Sequence, residues 1–429
     1  MRKLSIFTSL IILASSLTLA QAHAATPTAG ASCPKVGTTT DAKGTKLTCV
    51  KSGKKMVWSS GVGSPATKTT SGNPIPIKLP AAVIGEITFD NIINHINDVP
   101  LAAWTAVQKV ENANTLIPVP TTVAIGPNTV PNVPDMLGTF QKMMKFYSGF
   151  RQPTTYYALI YNFKDVDWAL KTAATIPAVV NNGGINGITG MPGMIAQCSA
   201  PDKCGNGNSG VVDPAGSGLG RFGIDPKTMI GQDGTVRPVF KNGALQGHEY
   251  THSVQASQFL GLPIVGKPPT ETQRKNNVDN TPSGLYESAI PCWWAEGQAN
   301  FNGNAATAPT YDEYWLSRKG AAKGWSIPEF TDYSATALQN FFETDMPLAC
   351  LPPHPIYQMG YGLGWLAIEA LTAIAGPQST MALVTMMGRG QTYPQAFESV
   401  YGISWAKASP ILGKVAAIEY AATPDNKPH

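Results

Sequence analysis

Residues 248–252 read His-Glu-Tyr-Thr-His in a chain of 429 residues. Side chains four residues apart lie on the same face of an α-helix, so His248 and His252 can present their imidazoles to one metal ion. Glu249 lies beside the first histidine, where its carboxylate can take a proton from a water molecule in an open coordination position. The segment 240–259 contains no proline, as a helix interior requires. The sequence therefore predicts a helix that carries two metal-binding histidines.

Histidine and acidic residues are scarce in this chain, which has six His and 27 Asp and Glu. A His-Glu-x-x-His motif is rarely formed by chance at such a composition. The alternative is a polar helix face on which both histidines have ordinary hydrogen-bond partners. The helical context of the motif favours the metal site.

A third metal ligand must come from elsewhere in the chain, because catalytic zinc usually has three protein ligands and one open position. The candidates are Glu271, Glu287 and Glu296, with His95 and His354 more remote. Glu271 is the nearest in sequence, but it lies in a proline-rich turn sequence. Glu296 lies in a segment that is predicted to be a helix packed by aromatic residues. A helix holds a ligand in a better-defined position than a loop does. Glu296 is therefore the predicted third ligand.

The segment 292–299, Cys-Trp-Trp-Ala-Glu-Gly-Gln-Ala, adds a resemblance to a known family. Together with the motif at 248–252, it resembles the gluzincin metallopeptidases, in which a Glu from a W-x-x-E-G-x-A helix completes a His-Glu-x-x-His site. Residues 393–397 and 401–404 are similar to a C-terminal helix of the same group. The resemblance covers roughly residues 120–420, although its specific motifs occupy few positions.

The resemblance implies a role for each matching residue. His248, His252 and Glu296 would be zinc ligands, and Glu249 would be the general base. Two features depart from the family pattern: the interval between His252 and Glu296 is longer than in the best-known members, and Gln298 replaces the usual apolar residue. The second departure puts the local packing in doubt rather than the ligands.

Peptide hydrolysis also needs a hydrogen-bond donor for the oxyanion. Gluzincins often use a Tyr or His from the helical half, and Tyr361 begins a predicted helix between two glycines. Tyr357 and His354 are the rival candidates. The alternative is that all three are packing or surface residues.

The first 24 residues have the three regions of a secretory signal peptide. Two basic residues precede an apolar stretch at 6–19, and Ala22-His23-Ala24 offers a cleavage site after Ala24. A membrane anchor is the alternative, but the apolar stretch is short and interrupted by Ser and Thr. The mature chain is therefore expected to be secreted and to have no integral membrane span.

The charge of the chain is low. Charged residues make up 14% of it and the net charge is +4, so no basic stripe forms and nucleic acid is not an expected partner. Hydrophobic residues make up 43%, which is enough for a sizeable core. This composition excludes a disordered polyelectrolyte.

Six cysteines remain after the leader, and an even number in an exported chain favours disulfides. Sequence alone cannot choose the connectivity. Proximity suggests the pairs Cys33–Cys49 and Cys198–Cys204 as short loops, which leaves Cys292–Cys350 as a long-range pair. Thiolate metal ligation is the weaker alternative, because no Cys-x-x-Cys pair exists.

The chain is predicted to be an α+β protein with several segments. Residues 25–60 are expected to form a small disulfide-bonded β module, and a Ser/Gly/Pro linker follows at 61–80. In the domain at 81–429, a small mixed sheet precedes mainly helical sequence, and the resemblance implies a zincin-like fold for it. The Gly- and Asn-rich segment 181–220 is expected to be irregular, as an insertion or a functional rim.

The leading functional hypothesis is a secreted, Zn²⁺-dependent metallopeptidase that acts on a protein or peptide substrate. One alternative is a cell-surface binding protein with an inactive peptidase-like domain, and another is a zinc hydrolase of non-peptide amides or esters. The N-terminal module could associate the protein with the cell wall or surface under either hypothesis. Glu249 favours an enzyme, because a purely structural zinc site has no use for it.

Overall fold

The computed structural model describes residues 28, 31–42, 45–52, 55–60, 77–188, 190–230, 236–275, 278–344 and 356–423. The signal peptide expected at 1–24 lies outside these ranges, as does most of the expected linker. The chain divides into two compact units, residues 1–71 and residues 72–429. Within the described ranges, no helix combines the length and the apolar character needed to cross a membrane.

The first unit contains an antiparallel sheet in the order β1-β2-β3, formed by Thr39–Ala42, Thr45–Ser52 and Lys55–Ser60. A disulfide joins Cys33 to Cys49, as expected. Among its described residues, the buried core is small and consists of these two cysteines with Leu47 and Trp58. So small a core supplies little stability, and a disulfide compensates by restricting the unfolded chain.

The second unit contains a four-stranded mixed sheet in the order β4-β5-β7-β6. Its strands are β4 Thr121–Ile125, β5 Thr155–Tyr161, β6 Asn206–Val211 and β7 Ser217–Gly223. The pairs β4/β5 and β5/β7 are parallel, and β6 runs antiparallel to β7 at the edge.

Two of these strands lie in the segment that was expected to be irregular. Glycine has low strand propensity, but here it makes room for aromatic neighbours on the sheet. A Cβ at Gly218 would lie 2.7 Å from the Tyr156 ring, and one at Gly220 would collide with the Tyr156 hydroxyl. The expectation for 181–220 was therefore wrong for β6 and β7, because close packing overrides propensity.

Helices form the rest of the second unit, so the α+β class is confirmed. In chain order they are α1 Val99–Ala113, α2 Met136–Phe146, α3 Val166–Ala173, α4 Pro177–Asn181, α5 Met191–Ala196, α6 Pro226–Met229, α7 Pro238–Lys241, α8 Ala244–Ser257, α9 Glu271–Lys275, α10 Pro282–Glu287, α11 Cys292–Thr307, α12 Tyr311–Gly324, α13 Ala335–Thr344, α14 Met359–Ala375, α15 Pro377–Met387, α16 Tyr393–Tyr401 and α17 Trp405–Ala422.

Helix α11 is packed between α8 and α14 through glycines. A Cβ at Gly303 of α11 would lie 2.6 Å from the backbone nitrogen of His248 on α8. On the other side of α11, Gly297 faces Gly364 of α14, and a Cβ at either position would collide with backbone atoms. The three helices can therefore approach this closely only where side chains are absent.

A buried ion network joins α12, α14 and α17. Arg318 Nε donates to both carboxylate oxygens of Glu369 at 2.9 and 2.8 Å, and its Nη2 donates to Glu419 at 2.5 Å. The Tyr314 hydroxyl also donates to Glu369. Contact with the guanidinium makes it tolerable to bury both carboxylates, and removal of Arg318 would leave the two of them uncompensated.

A second disulfide joins Cys198 to Cys204, as expected. Cys292 is disulfide-bonded as well. Its expected partner, Cys350, lies outside the described residues. The Cys198–Cys204 bridge packs against Gly223 of β7 and so fixes the chain between α5 and β6.

The substitution Gly303→Ala is expected to lower the free energy of unfolding by about 1–3 kcal/mol, the usual cost of forcing extra atoms into a packed core. Gly85→Ala is the matched control, because a Cβ there has no atom within 4 Å. Urea unfolding of both variants and the wild type measures the difference. An unchanged midpoint for Gly303→Ala would contradict the close packing of α8 on α11.

Candidate metal centre

Helix α8 begins after Gly243, which has a left-handed backbone conformation with φ of 79°. It lies almost wholly inside the protein, so His248, Glu249 and Tyr250 are all buried. The four-residue spacing places His248 and His252 side by side, and their Nε2 atoms are 3.0 Å apart. The sequence-based expectation of a helix with both imidazoles on one face is thus met.

The carboxylate of Glu296 on α11 completes a triangle of donor atoms. Its Oε2 lies 3.4 Å from His248 Nε2 and 3.3 Å from His252 Nε2. Ligand atoms of a tetrahedral zinc site with bonds of about 2.0–2.1 Å lie about 3.3 Å apart. Among the described residues, this buried oxygen has no hydrogen-bond partner. The spacing and the unsatisfied oxygen both fit a cation at the centre of the triangle.

Glu249 offers a second carboxylate at the same place. Donor atoms of His248, Glu249 and His252 all lie within 4.8 Å of one another, so this buried group could hold a metal ion. Glu249 Oε1, however, is 3.9 Å from His248 Nε2, whereas Glu296 is close to both imidazoles. Glu296 is therefore better placed as the third ligand, and Glu249 is left beside the cluster.

Side-chain amides orient both imidazoles. Asn300 donates from Nδ2 to the backbone oxygen of Tyr361 at 3.1 Å, so its Oδ1 faces His248 Nδ1 at 2.8 Å. Gln255 donates from Nε2 to the Ala295 oxygen at 3.0 Å, so its Oε1 faces His252 Nδ1 at 2.8 Å. Each Nδ1 therefore carries a proton, which leaves Nε2, on the side of Glu296, as the nitrogen that is available to a metal ion.

Two further groups complete these contacts. The Tyr286 hydroxyl donates to Gln255 Oε1 at 2.5 Å. Gln298 accepts from Gln255 Nε2 at 2.8 Å and donates to the Thr380 hydroxyl at 2.8 Å. A polar residue is thus accommodated at Gln298, because both the oxygen and the nitrogen of its buried amide have hydrogen-bond partners.

Burial and charge shift the protonation of the cluster. Burial acts to lower the pKa of His252, but the charges of Glu296 and Glu249 and the hydrogen bonds to Glu296 and Gln255 together outweigh it and raise the pKa to about 9. Burial acts to raise the pKa of Glu296, but His252 and His248 hold it well below its ordinary value. Burial raises the pKa of Glu249. Without a metal, protons supply the positive charge of the cluster, so metal binding would release them.

A cavity of about 290 Å³ opens beside the cluster. His252 and Glu296 form part of its wall, and the edge strand β6 contributes residues 206–209. Tyr357 and Tyr361 also line it. The donor atoms can therefore be reached by a small molecule or by part of a larger one.

Tyr361 lies against the cluster. Its ring stacks on His248 with centroids 6.0 Å apart and an interplanar angle of 11°. Burial, with the charges of Glu296 and Glu249, raises its pKa well above the ordinary value. The hydroxyl thus stays protonated and can donate a hydrogen bond into the cavity. Of its two rivals, Tyr357 lines the same cavity, and His354 lies outside the described residues.

The other third-ligand candidates lie apart from the histidines. Glu271 pairs with Lys275 within α9 at 3.2 Å, and His95 pairs with Asp98 at 3.3 Å. Glu287 lines the cavity but does not contact either imidazole. Of the candidates that the structure describes, only Glu296 joins the cluster.

Several important residues had escaped sequence reasoning. Asn300 lies four residues after Glu296, and Gln255 three residues after His252, so helical spacing could have identified both. No sequence signal marked Gly207 on β6, whose missing side chain makes room for Glu249. None marked Arg221 on β7, which also lines the cavity.

No family model matches this sequence, and no curated protein or solved structure is significantly similar to it.

The purified full chain is expected to bind about one Zn²⁺ per molecule through this cluster. His252→Ala and Glu296→Gln should each weaken zinc binding by more than the roughly 10–100-fold that loss of an outer hydrogen-bond partner costs. Glu271→Gln is the control and should bind zinc as the wild type does. Competition with a chromogenic chelator measures all four proteins.

Wild-type zinc affinity in Glu296→Gln, with loss of affinity in Glu271→Gln, would show that the third ligand has been wrongly assigned. Absence of zinc binding by the wild type would contradict the whole metal centre.

Proposed function

We propose that this protein is an extracellular zinc metallopeptidase of the gluzincin type, with a zincin-like catalytic domain. The observation that carries the proposal is the convergence of His248, His252 and Glu296. Glu249 lies next to them and is not needed as a ligand. Two imidazoles and one carboxylate form a donor set suited to catalytic Zn²⁺, which keeps a further position open.

When bound at this cluster, Zn²⁺ supplies a Lewis acid and lowers the pKa of water at its open position. Glu249 is the proposed general base. Its Oε2 is buried and has no hydrogen-bond partner among the described residues, so it is free to accept a proton. The carboxylic acid formed in this way can then return the proton to the leaving amine.

Tyr361 is the proposed donor to the oxyanion. Its ring is fixed by stacking on His248 and, on another side, on Trp325 with centroids 4.6 Å apart. A protonated phenol held in this way stabilises developing negative charge without having to reorganise.

The edge strand β6 favours a peptide as the substrate. It is the last strand of the described sheet, and residues 206–209 line the cavity. An edge strand has free backbone N–H and C=O groups that can pair with an extended chain. This feature favours a peptide over a small amide or ester, which needs no extended partner.

The disulfides Cys33–Cys49 and Cys198–Cys204 fit an extracellular location, because disulfides persist in oxidising compartments. The proposal includes export by the N-terminal signal and attachment to a cell wall or surface through the β module. A binding protein with an inactive domain is the second candidate. The two candidates differ in whether the protein has a cleavage activity that depends on Glu249.

Glu249→Gln is expected to lower the rate of casein or gelatin cleavage by at least about 100-fold, because a positioned general base contributes roughly 10²–10⁴-fold. Zinc content should stay at the wild-type level, because Glu249 is not among the proposed ligands. Survival of activity in a zinc-loaded Glu249→Gln variant would contradict the mechanism. Lack of activity in the zinc-loaded wild type would favour the binding protein.

Gly207→Ala should impair the same step without touching the cluster. A Cβ at Gly207 would lie 2.6 Å from both Cγ and Oε1 of Glu249, so the carboxylate must move. Peptide cleavage is expected to fall about tenfold or more, a usual consequence of misplacing a catalytic group, while zinc binding is retained. Gly193→Ala is the control, since a Cβ there has no atom within 4 Å. Equal cleavage rates in the two variants would mean that Gly207 does not position Glu249.

A further inference from the structure

Arg221 is a buried cation in the wall of the cavity beside the metal centre. Its side chain is 6% exposed and lines the cavity. Its guanidinium donates to the Met191 oxygen at 3.3 Å, to Met194 Sδ at 2.6 Å and to Asn208 Oδ1. All three acceptors are neutral.

The contrast with Arg318 shows what Arg221 lacks. Arg318 is equally buried, and it is paired with the carboxylates of Glu369 and Glu419. In the part of the chain that the structure describes, no carboxylate forms an ion pair with Arg221. A guanidinium stays charged in proteins, and burial of a charge without an opposite charge is costly. The carboxylates of Glu249 and Glu287 act on this charge only from a distance. A buried charge on a cavity wall without a direct counter-ion is suited to a ligand that brings its own negative charge.

The sheet places Arg221 away from the metal ligands. In β7, Phe222 packs in the core with Tyr250 of α8, whereas Leu219 packs in the separate cluster beyond the sheet. Arg221 shares the face of Leu219, because side chains alternate along a strand. The cavity therefore extends from the histidines around the edge of β6 to the opposite face of the sheet, where Arg221 lies beside α5.

We propose that Arg221 forms an anion-recognition subsite and that the preferred substrate carries a carboxylate there, from an acidic side chain or from a free C-terminus. This inference rests on the proposed peptidase function. An extended peptide paired with β6 directs successive side chains to opposite faces, so a carbonyl can lie at the metal centre while a neighbouring group reaches Arg221.

Glu287 is the opposing charge on the same wall, and alone it would favour a cationic group. Although the residue as a whole is exposed, desolvation of its carboxyl raises the pKa of Glu287 to about 7. Near neutral pH it therefore carries only part of its negative charge, whereas the guanidinium of Arg221 stays fully charged. The need for a counter-charge is therefore greater at Arg221. Glu287→Gln should strengthen the binding of a carboxylate, because it removes a like charge from the cavity.

The test compares paired probes on the full, zinc-loaded chain by calorimetric titration. N-acetylglutamate α-amide against N-acetylglutamine α-amide tests a side-chain carboxylate, and N-acetylalanine against its amide tests a C-terminal one. In one of the two pairs the acid should bind the wild type at least about tenfold more tightly, as a charge-assisted hydrogen bond allows. Arg221→Met should abolish this difference, and Arg221→Lys should retain part of it.

Equal binding of acid and amide in both pairs by the wild type would overturn the subsite, and that result needs no variant to fold. A difference that persists in Arg221→Met would overturn it too, since the anion would then be bound elsewhere, for example by the zinc. The same pairs placed in cleavable peptides separate this proposal from the proposed function. Cleavage without an acid preference would refute only the subsite, and an Arg221-dependent preference in binding without any cleavage would refute only the peptidase.

Discussion

The contact of α8 with α11 at Gly247 and Gly303 is the constraint on which the metal centre depends. Gly247 precedes His248, and a Cβ added at Gly247 would lie 2.9 Å from the Cα of Gly303. On α11, Gly297 follows Glu296 and lies against Gly364 of α14. Because two backbones meet at each contact, Glu296 reaches both imidazoles. Larger residues at these positions would separate the helices and open the triangle of donor atoms.

Hydrogen bonds between buried polar side chains then hold α8 and α11 in the positions that the glycine contacts allow. Gln246 pairs with Asn132 at 2.9 Å, Gln255 pairs with Gln298, and Asn302 donates to the Tyr147 hydroxyl at 2.9 Å. Helices α8 and α11 are surrounded on nearly all sides, so neither has a polar face turned to solvent. Hydrogen bonds of this kind between buried side chains rigidify a core. They explain how a chain with few charged residues holds its functional groups in place.

The sequence was sufficient to predict the residues whose positions follow from helical periodicity. The interval of four between His248 and His252 fixes their shared face in any helix, and the helix around Glu296 could be read from its aromatic neighbours. Strands β6 and β7 could not be predicted, because their glycines are explained only by partners from distant segments: Tyr156 for Gly218 and Gly220, and Glu249 for Gly207. Arg221 could not be assigned to the cavity either, since this depends on the register of β7 against β6. These features arise from contacts between segments far apart in the chain, which local patterns do not contain.

Diffraction at the zinc absorption edge, from crystals of the full chain grown with Zn²⁺, tests the central claim most directly. We expect one anomalous peak about 2.0–2.2 Å from His248 Nε2, His252 Nε2 and an oxygen of Glu296, with Glu249 outside the coordination sphere. A peak ligated by Glu249 in place of Glu296, or no peak between the two histidines, would contradict the account.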